Sequence, residues 1–329
     1  MALTADTWPI AAALLQFPAV KRDGTVVQEA DASEWVATFR EVKESGFDAV
    51  DLTDSWVRAG DLSSARLDEL KGALDEAGLA APSLSAIRRS IIDAANWEEN
   101  LAYSHRTLEA AAQLGQTVVS FGLHQALTPA QKEQLWFWTV EGHQDPDPTE
   151  HPEVWNAAVT RFRELGRHAE DLGLLMSLEM YEDTYLGTGA SSARLAEEIG
   201  LSNVGINADV GNLVRLHRPI EDWWSIFEQV LPWTNYWHVK GYQRDENVAK
   251  GLYTSIPTPM ESGVINYREV FKLALEHGFQ GVICAESYGG DGLSVSAANQ
   301  AYLRRQVLPK QDGYALGVSN VTQRSSRVA

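Results

Sequence analysis

Residues 276–286 read EHGFQGVICAE and join an amphipathic segment, through Gly278, to a short apolar run. The same order of amphipathic segment, glycine and apolar run occurs six times in the chain. The glycines of the other five joints are Gly46, Gly78, Gly115, Gly173 and Gly200. Glycine at this position supplies the left-handed residue that ends a helix and turns the chain into a strand. The six joints therefore predict alternating helices and β-strands.

Two further apolar runs, at 9–17 and 235–242, bring the number of predicted strands to eight. The complete set is 9–17, 47–52, 79–84, 117–121, 174–179, 204–209, 235–242 and 282–286. A helical pattern follows each strand, at 32–45, 63–77, 95–114, 153–172, 189–199, 220–230, 266–277 and 294–307. Strands that alternate with helices form a parallel sheet, and eight of them favour closure into a barrel. An open doubly wound sheet would carry a glycine-rich phosphate loop after an early strand, and this sequence has none.

We therefore predict an α/β protein, a single (β/α)8 TIM barrel at residues 1–308 with a polar tail at 309–329. Two connections that follow strands are long, at 124–152 and 241–265. The loops after strands form the face on which barrel enzymes build their sites, so we expect the functional residues there.

The charge of the chain excludes two classes of partner. The 329 residues include 27 Lys and Arg against 45 Asp and Glu, which gives a net charge of −18. Nucleic acids and anionic membranes attract basic surfaces, so neither is an expected partner. Cys284 is the only cysteine, as is common in a reducing compartment. The apolar stretch 8–15 follows Asp6 and lacks a basic region before it, so we expect neither a signal peptide nor a membrane span, and a cytoplasmic location.

The last four predicted strands end in polar residues that are common metal ligands. These residues are Glu179, Asp209, His238 and Glu286. Each could be a lone polar residue at a strand end, but four neighbouring strands would aim three carboxylates and an imidazole at one point. A divalent cation would remove the cost of that negative charge. Such an oxygen-rich set suits Mn²⁺, our first choice, with Mg²⁺ or Co²⁺ as alternatives.

Over about residues 8–308 the chain resembles the xylose isomerase-like barrels, also called sugar phosphate isomerases/epimerases. The resemblance is most specific at Glu179 and at three short segments. These segments are 207–212 (NADVGN), 237–240 (WHVK) and 281–286 (GVICAE). Members of that family hold a divalent metal with Glu, Asp, His and Glu, and in ketose 3-epimerases the two glutamates also move the substrate proton. The resemblance places these functions on Glu179, Asp209, His238 and Glu286. The chain departs from the epimerases at Asn212, where they carry His, and at Gly241, where they carry Asp.

The long connection 124–152 contains Trp136, Trp138, His143 and His151. It could be an ordinary surface loop, but aromatic side chains also bind planar rings and sugar faces. Residues 141–143 (EGH) and the tryptophans resemble the large α subunit of the bacterial C-glycoside deglycosidases, a branch of the same family. Those enzymes cleave the carbon–carbon bond between a 3-oxo-sugar and an aromatic aglycone, and they work with a small β subunit. The resemblance implies that His143 faces the aglycone.

The reaction also follows from the chemistry of the predicted ligands. A carbonyl at sugar carbon 3 makes the proton on carbon 2 acidic, and a metal at the sugar oxygens stabilises the enolate. Glu179 or Glu286 can take that proton. Its return on the other face is an epimerisation, whereas departure of an aryl group from carbon 1 is a β-elimination. The departing carbon must then gain a proton, and His143 beside a phenol can supply it.

The predicted function is therefore that of a metal-dependent carbon–carbon lyase acting on 3-oxo-C-glycosides, paired with a small β subunit in a hetero-oligomer. A keto-sugar or ketose epimerase or isomerase with the same metal and glutamates is the alternative. A non-catalytic sugar-binding barrel is the third hypothesis.

Four further polar residues are candidates for lesser functions. Lys240 and Arg215 could bind a hydroxyl or phosphate, or be solvated or paired with carboxylates. Glu182 could lie behind the metal ligands or cap a helix. His124 begins the long loop and could touch substrate.

Overall fold

The described part of the chain, residues 2–324 and 326 of a computed structural model, contains ten β-strands. Eight of them, named β1 to β7 and β10 in chain order, span Ile10–Ala13, Ala49–Thr53, Ala80–Ser85, Val118–Phe121, Leu175–Glu179, Val204–Asn207, Thr234–Val239 and Val282–Ala285. The other two, β8 and β9, span Gly241–Asn247 and Leu252–Thr258. The eight strands pair in parallel in the closed order β1-β10-β7-β6-β5-β4-β3-β2. The predicted (β/α)8 barrel is confirmed.

Ten helices accompany the strands. Helices α1 to α10 span Ala32–Glu44, Ser64–Ala77, Trp97–Leu114, Pro129–Lys132, Pro152–Asp171, Gly189–Ile199, Gly211–Val214, Trp223–Val230, Tyr267–Glu276 and Gly292–Tyr302. Short 3₁₀ turns lie at Leu14–Gln16, Val27–Glu29, Ala59–Asp61, Phe137–Thr139, Leu231–Trp233, Val248–Lys250 and Met260–Ser262, and a π-helical turn at Leu303–Val307. Each of the eight predicted helices is present, within a few residues at its ends.

The glycines that end the helices adopt the predicted left-handed conformation. All six have φ between 67° and 92°. Helix α8 begins at Trp223 rather than at the predicted residue 220. Its start is fixed by Asp222, whose carboxylate accepts a hydrogen bond from the Ser225 backbone N–H at 3.0 Å.

The predicted strand 235–242 ends earlier than expected, and the long connection that follows it contains two further strands. β7 ends at Val239, and β8 and β9 form an antiparallel hairpin in which Gly241 pairs with Thr258. A Cβ on Gly241 would lie 2.4 Å from the Thr258 carbonyl oxygen, so the pairing requires glycine. The hairpin begins where β7 leaves the barrel, at its carboxyl end.

The barrel interior contains an apolar layer with a tyrosine in it. Ala13, Val118, Leu175, Tyr236, Val282 and Cys284 form this layer. A larger apolar cluster fills the space between the sheet and the helices. The metal ligands predicted from the sequence lie beyond the interior layer, at the carboxyl ends of the strands.

The described residues of the predicted tail run along the amino-terminal end of the barrel. The Thr322 backbone N–H donates to the Ser202 carbonyl at 2.7 Å, and Gln323 donates to the Thr234 carbonyl at 2.9 Å. Residues 325 and 327–329 of that tail lie outside the described residues. Among the described residues, no helix combines the length and the apolar character needed to cross a bilayer.

Candidate metal centre

The four predicted ligands lie at the carboxyl ends of four neighbouring strands. Glu179 is the last residue of β5 and His238 lies within β7, whereas Asp209 and Glu286 closely follow β6 and β10. Because these ends of parallel strands meet at one end of the barrel, the side chains converge. Each residue is buried, with at most 6% of its surface exposed. The structure therefore brings the predicted quartet together.

The imidazole of His238 is the centre of this cluster. Its Nδ1 lies 3.4 Å from Glu286 Oε2, 3.7 Å from Asp209 Oδ2 and 3.9 Å from Glu179 Oε1. Ligands held ~2.1 Å from one cation lie roughly 3 to 4 Å apart. His238 Nδ1 and Asp209 Oδ1 are buried and have no hydrogen-bond partner among the described residues. These residues therefore fit a divalent cation.

Lys240 also reaches into the centre. Its ammonium lies 2.7 Å from Asp209 Oδ2 and 2.8 Å from Glu286 Oε2, and only 2% of the side chain is exposed. Of the two functions considered for Lys240, the structure thus shows pairing with carboxylates. Three carboxylates and one ammonium leave two negative charges, which is the charge that a divalent cation neutralises.

Two carboxylates of the centre, Glu179 and Glu286, have lowered pKa values. Burial acts to raise the pKa of Glu179, but His124 and His238 outweigh it and lower that pKa to about 2. Burial also opposes the ionisation of Glu286, yet Lys240 and His238 hold its pKa well below the usual range. Burial acts to lower the pKa of His238, but Cys284, Asp209 and Glu286 outweigh it. The net result is a pKa well above the usual value for histidine. A proton and a cation thus compete for His238 Nδ1.

Asn212 positions two of the ligand carboxylates. Its side-chain amide donates to Glu179 Oε1 at 3.1 Å and to Asp209 Oδ2 at 3.0 Å. The amide also donates to the Met180 carbonyl at 2.9 Å. The residue that departs from the epimerase pattern therefore holds the carboxylates in place.

His124 is closer to the centre than the sequence suggested. Its Nε2 lies 3.5 Å from Glu179 Oε2, and its ring stacks on Tyr181 at 4.2 Å. Both ring nitrogens are buried without a hydrogen-bond partner among the described residues. The sequence placed His124 only at the start of a loop, and its direction becomes visible only in the folded chain.

His143 lies in an exposed position on the connection between β4 and α5. The loop is anchored at Asp183, which accepts from the Gly142 backbone N–H at 2.9 Å and has a left-handed φ of 65°. His143 shares a small cavity with Arg88, His124 and Tyr181. Its predicted catalytic function stays a prediction.

Aromatic rings pack around the small cavity beside Glu179, His238 and Glu286. Its volume is about 30 Å³, roughly the space of one water molecule. We call Phe137, Trp138, Tyr181 and Tyr288 the aromatic roof. Trp138 contacts Tyr288 at a centroid distance of 5.2 Å, and Tyr288 and Tyr181 line the cavity. A sugar ring can enter only if part of this roof moves.

Arg88 lines the same cavity and was missed as a functional candidate. It adopts a left-handed φ of 54°, and its guanidinium donates to the Gln125 carbonyl at 3.0 Å and to Tyr181 Oη at 3.1 Å. Backbone strain of this kind clusters at functional sites. Its sequence neighbourhood carries no signal that distinguishes it from a surface arginine.

Arg215 and Glu182 form a buried ion pair next to the aromatic roof. The guanidinium Nη2 donates to both carboxylate oxygens at 2.9 Å, and Arg215 is fully buried. Glu182 therefore neither caps a helix nor contacts the four ligands. A larger cleft, of about 550 Å³, is lined by Glu182 and by residues outside the barrel, but by none of the four ligands.

Comparison with known proteins agrees with this architecture. The sequence model of the family described as xylose isomerase-like TIM barrel matches residues 39–306. A crystal structure of a xylose isomerase-like TIM barrel protein from Mycobacterium smegmatis, in complex with magnesium, is 44% identical in sequence and superposes with a TM-score of 0.87. The match covers 92% of this chain and 97% of the mycobacterial one.

Two further proteins are more distantly similar to this chain. The structure of a 3-keto-D-glucoside 4-epimerase from E. coli matches 90% of this chain and 99% of its own at 16% identity, with a TM-score of 0.60, so it shares the fold. An inosose dehydratase from Serratia proteamaculans is 27% identical over 159 residues, which are 45% of this chain and 53% of the dehydratase. The chain thus spans about half the length of that curated relative.

Proposed function

The chain belongs to the xylose isomerase-like TIM barrel family, and from that premise we propose that it is a divalent-metal enzyme that removes the proton beside the carbonyl of a keto sugar. The observation that carries this proposal is the convergence of His238 Nδ1 with three buried carboxylates. The 44% identical relative in complex with magnesium supports a metal at this centre. We keep Mn²⁺ as the proposed physiological metal, to be tested by elemental analysis.

The metal would be held by Glu179, Asp209, His238 and Glu286, and when bound it would polarise the carbonyl oxygen of the substrate. The protein supplies the base. Glu179 and Glu286 are ionised at neutral pH, so either can accept the carbon 2 proton. Glu286 is fixed by Lys240, whereas Glu179 faces His124. The aromatic roof would exclude water from the reacting carbon.

We propose the carbon–carbon lyase reaction on 3-oxo-C-glycosides as the specific activity. The connection between β4 and α5 supports this choice because its aromatic rings pack against Tyr288, which lines the cavity. Trp136 and Trp138 stack with centroids 4.9 Å apart, and Trp138 packs on Tyr288 above the ligands. A planar aglycone could stack on the outer face of such a ring, and His143 on the same loop would protonate the departing carbon.

The experiment uses a 3-oxo-C-glucoside with a phenolic aglycone. The metal-loaded chain, with and without its coexpressed genomic neighbour, is incubated with this compound in deuterated water. Aglycone release is followed by chromatography, and deuterium at carbon 2 by NMR. We expect release that is lost on chelation and restored by Mn²⁺. Absence of any metal-dependent reaction on keto sugars would leave the non-catalytic barrel as the better hypothesis.

The epimerase is the second candidate because two glutamates flank the same imidazole. Glu286 and Glu179 lie 3.4 and 3.9 Å from His238 Nδ1. One glutamate could remove a proton and the other return it on the opposite face. Deuterium incorporation with an inverted sugar and no aglycone release would establish this alternative.

We further propose that a small β subunit docks over the carboxyl-terminal face. Exposed apolar side chains there support this proposal. Leu135 on the long loop is 87% exposed, and Val248, Leu252 and Ile256 on the β8–β9 hairpin are 56–69% exposed. Size-exclusion chromatography with mass measurement on coexpressed proteins tests the docking. A homo-oligomer that is fully active alone would contradict it.

A further inference from the structure

A chain of hydrogen bonds crosses the barrel interior behind the metal centre. Tyr236 precedes His238 by two residues on β7, so both side chains point into the barrel. Tyr236 Oη lies 3.1 Å from His238 Nε2 and 2.8 Å from Asp51 Oδ1 on β2. Tyr236 is fully buried and Asp51 is 1% exposed. The imidazole is thereby connected to a carboxylate on the opposite side of the barrel.

Asp51 is a buried carboxylate among polar side chains. Its neighbours are Tyr236, His238, Ser83 and Ser85. Asp209 and Glu286 pair with Lys240. Asp51, by contrast, forms no ion pair with a lysine or arginine among the described residues. An unpaired carboxylate in such a place is unfavourable unless hydrogen bonds compensate it. Tyr236 supplies that hydrogen bond, and Ser83 Oγ lies 3.1 Å from the same hydroxyl.

The direction of the hydrogen bonds determines which nitrogen of His238 is free. Nδ1 faces the carboxylates, so it must offer its lone pair if it is to bind a cation. The single hydrogen of the neutral ring then lies on Nε2 and is donated to Tyr236 Oη or to Ser85 Oγ, which is 3.2 Å away. Tyr236 in turn donates its own hydrogen to Asp51. If Tyr236 instead donated to Nε2, the ring hydrogen would lie on Nδ1 and block the cation.

We propose that Asp51 and Tyr236 are positioning residues that hold His238 in the tautomer and orientation needed for metal binding. This inference rests on the metal centre of the proposed function. Partners of a metal-bound histidine typically change metal affinity about 10- to 100-fold when they are removed. Asp51, acting through Tyr236, would do here what a carboxylate does when it accepts a hydrogen bond from a ligand histidine directly.

Two substitutions test the contributions of Tyr236 and Asp51 separately. Tyr236→Phe keeps the ring and removes the hydroxyl. Asp51→Asn keeps the shape, but its amide can donate to Tyr236 and so permits the reverse direction of hydrogen bonding. Tyr103→Phe is the matched control, because Tyr103 is also a buried tyrosine and its hydroxyl has no hydrogen-bond partner among the described residues.

The measurements are the Mn²⁺ dissociation constant by calorimetry and the visible spectrum of the Co²⁺ form, both on the metal-stripped full chain. We expect Tyr236→Phe and Asp51→Asn to weaken Mn²⁺ binding about 10- to 100-fold and to alter the Co²⁺ spectrum, and Tyr103→Phe to do neither. A lower melting temperature without either change would show a purely structural function and overturn the inference. If Tyr236→Phe does not fold, Asp51→Asn alone decides. If the wild-type protein binds no divalent ion, the proposed function itself is wrong. If the wild type binds Mn²⁺ and all variants bind it equally tightly, only the present inference is wrong.

Discussion

The Lys240 ammonium donates to Asp209 Oδ2 at 2.7 Å, inside the cluster of predicted metal ligands rather than in solvent. Gly211 makes this approach possible, since a Cβ there would lie 2.6 Å from Lys240 Cγ. The same ammonium reaches Glu286, so one lysine fixes two ligands. Its positive charge also limits how strongly the centre attracts a cation.

Asp209→Ala is expected to abolish metal binding. Asp209 supplies one of the carboxylates around His238 Nδ1 and is fully buried. Elemental analysis of the purified variant should find no stoichiometric divalent metal, whereas Asp75→Ala, an exposed control on α2, should retain it. Full occupancy in Asp209→Ala would remove this residue from the ligand set.

Lys240→Met should make the protein more dependent on metal. Loss of one partner of a buried ion pair typically costs about 3–5 kcal/mol, so the metal-free variant should melt at a lower temperature. A centre with three uncompensated carboxylates attracts a cation more strongly. Scanning fluorimetry should therefore show a larger rise in melting temperature on adding Mn²⁺ than in the wild type. An equal or smaller rise would show that Lys240 helps to bind the metal.

Metal affinity should fall as the pH falls. The pKa of His238 is raised well above its usual value, so a proton occupies the ring below that raised pKa and the cation must displace it. Glu179 and Glu286 have lowered pKa values and bind no proton near neutrality. One displaced proton changes the dissociation constant about tenfold per pH unit. Calorimetry at pH 6, 7 and 8 measures this slope, and a flat profile would mean that His238 is not a ligand.

His143→Ala separates the lyase from the epimerase. A general acid or base contributes ~10²- to 10⁴-fold in rate, and we expect aglycone release to fall by about that factor. Exchange of the carbon 2 proton should continue, since it needs only the metal and a glutamate. His151→Ala is the control on the same loop, because His151 is exposed and pairs only with Glu153 at 3.1 Å. Release at the parental rate by His143→Ala would favour the epimerase.

Glu182→Gln should destabilise the fold without touching the metal ligands. It leaves the charge of Arg215 buried and unpaired, and we expect the free energy of unfolding to fall by about 3–5 kcal/mol. The surface pair of Arg40 and Glu76 provides the comparison, with more than half of each side chain exposed. Glu76→Gln should change the free energy by less than ~1 kcal/mol in urea denaturation. Similar losses in the two variants would refute a special contribution from burial.

The sequence by itself determined the order of strands and helices. The signals were local, because a helix-ending glycine and the apolar run after it lie within a few residues. The sequence also predicted the cluster of Glu179, Asp209, His238 and Glu286, since the carboxyl ends of parallel strands must meet at one end of a closed barrel. The β8–β9 hairpin escaped prediction because its strands are largely exposed and carry no continuous buried apolar face.

Only the tertiary structure decided which side chains reach the centre from outside the strand ends. Lys240 and His124 follow their strands closely, yet the directions of their side chains depend on packing against other elements. The spacing of Tyr236 and His238 would have placed both on the inner face of β7. Asp51, however, which accepts the hydrogen bond of Tyr236, is 185 positions away in the sequence and lies across the barrel on β2. Contacts across a closed barrel depend on its radius and on the stagger of its strands, which no local pattern of residues specifies.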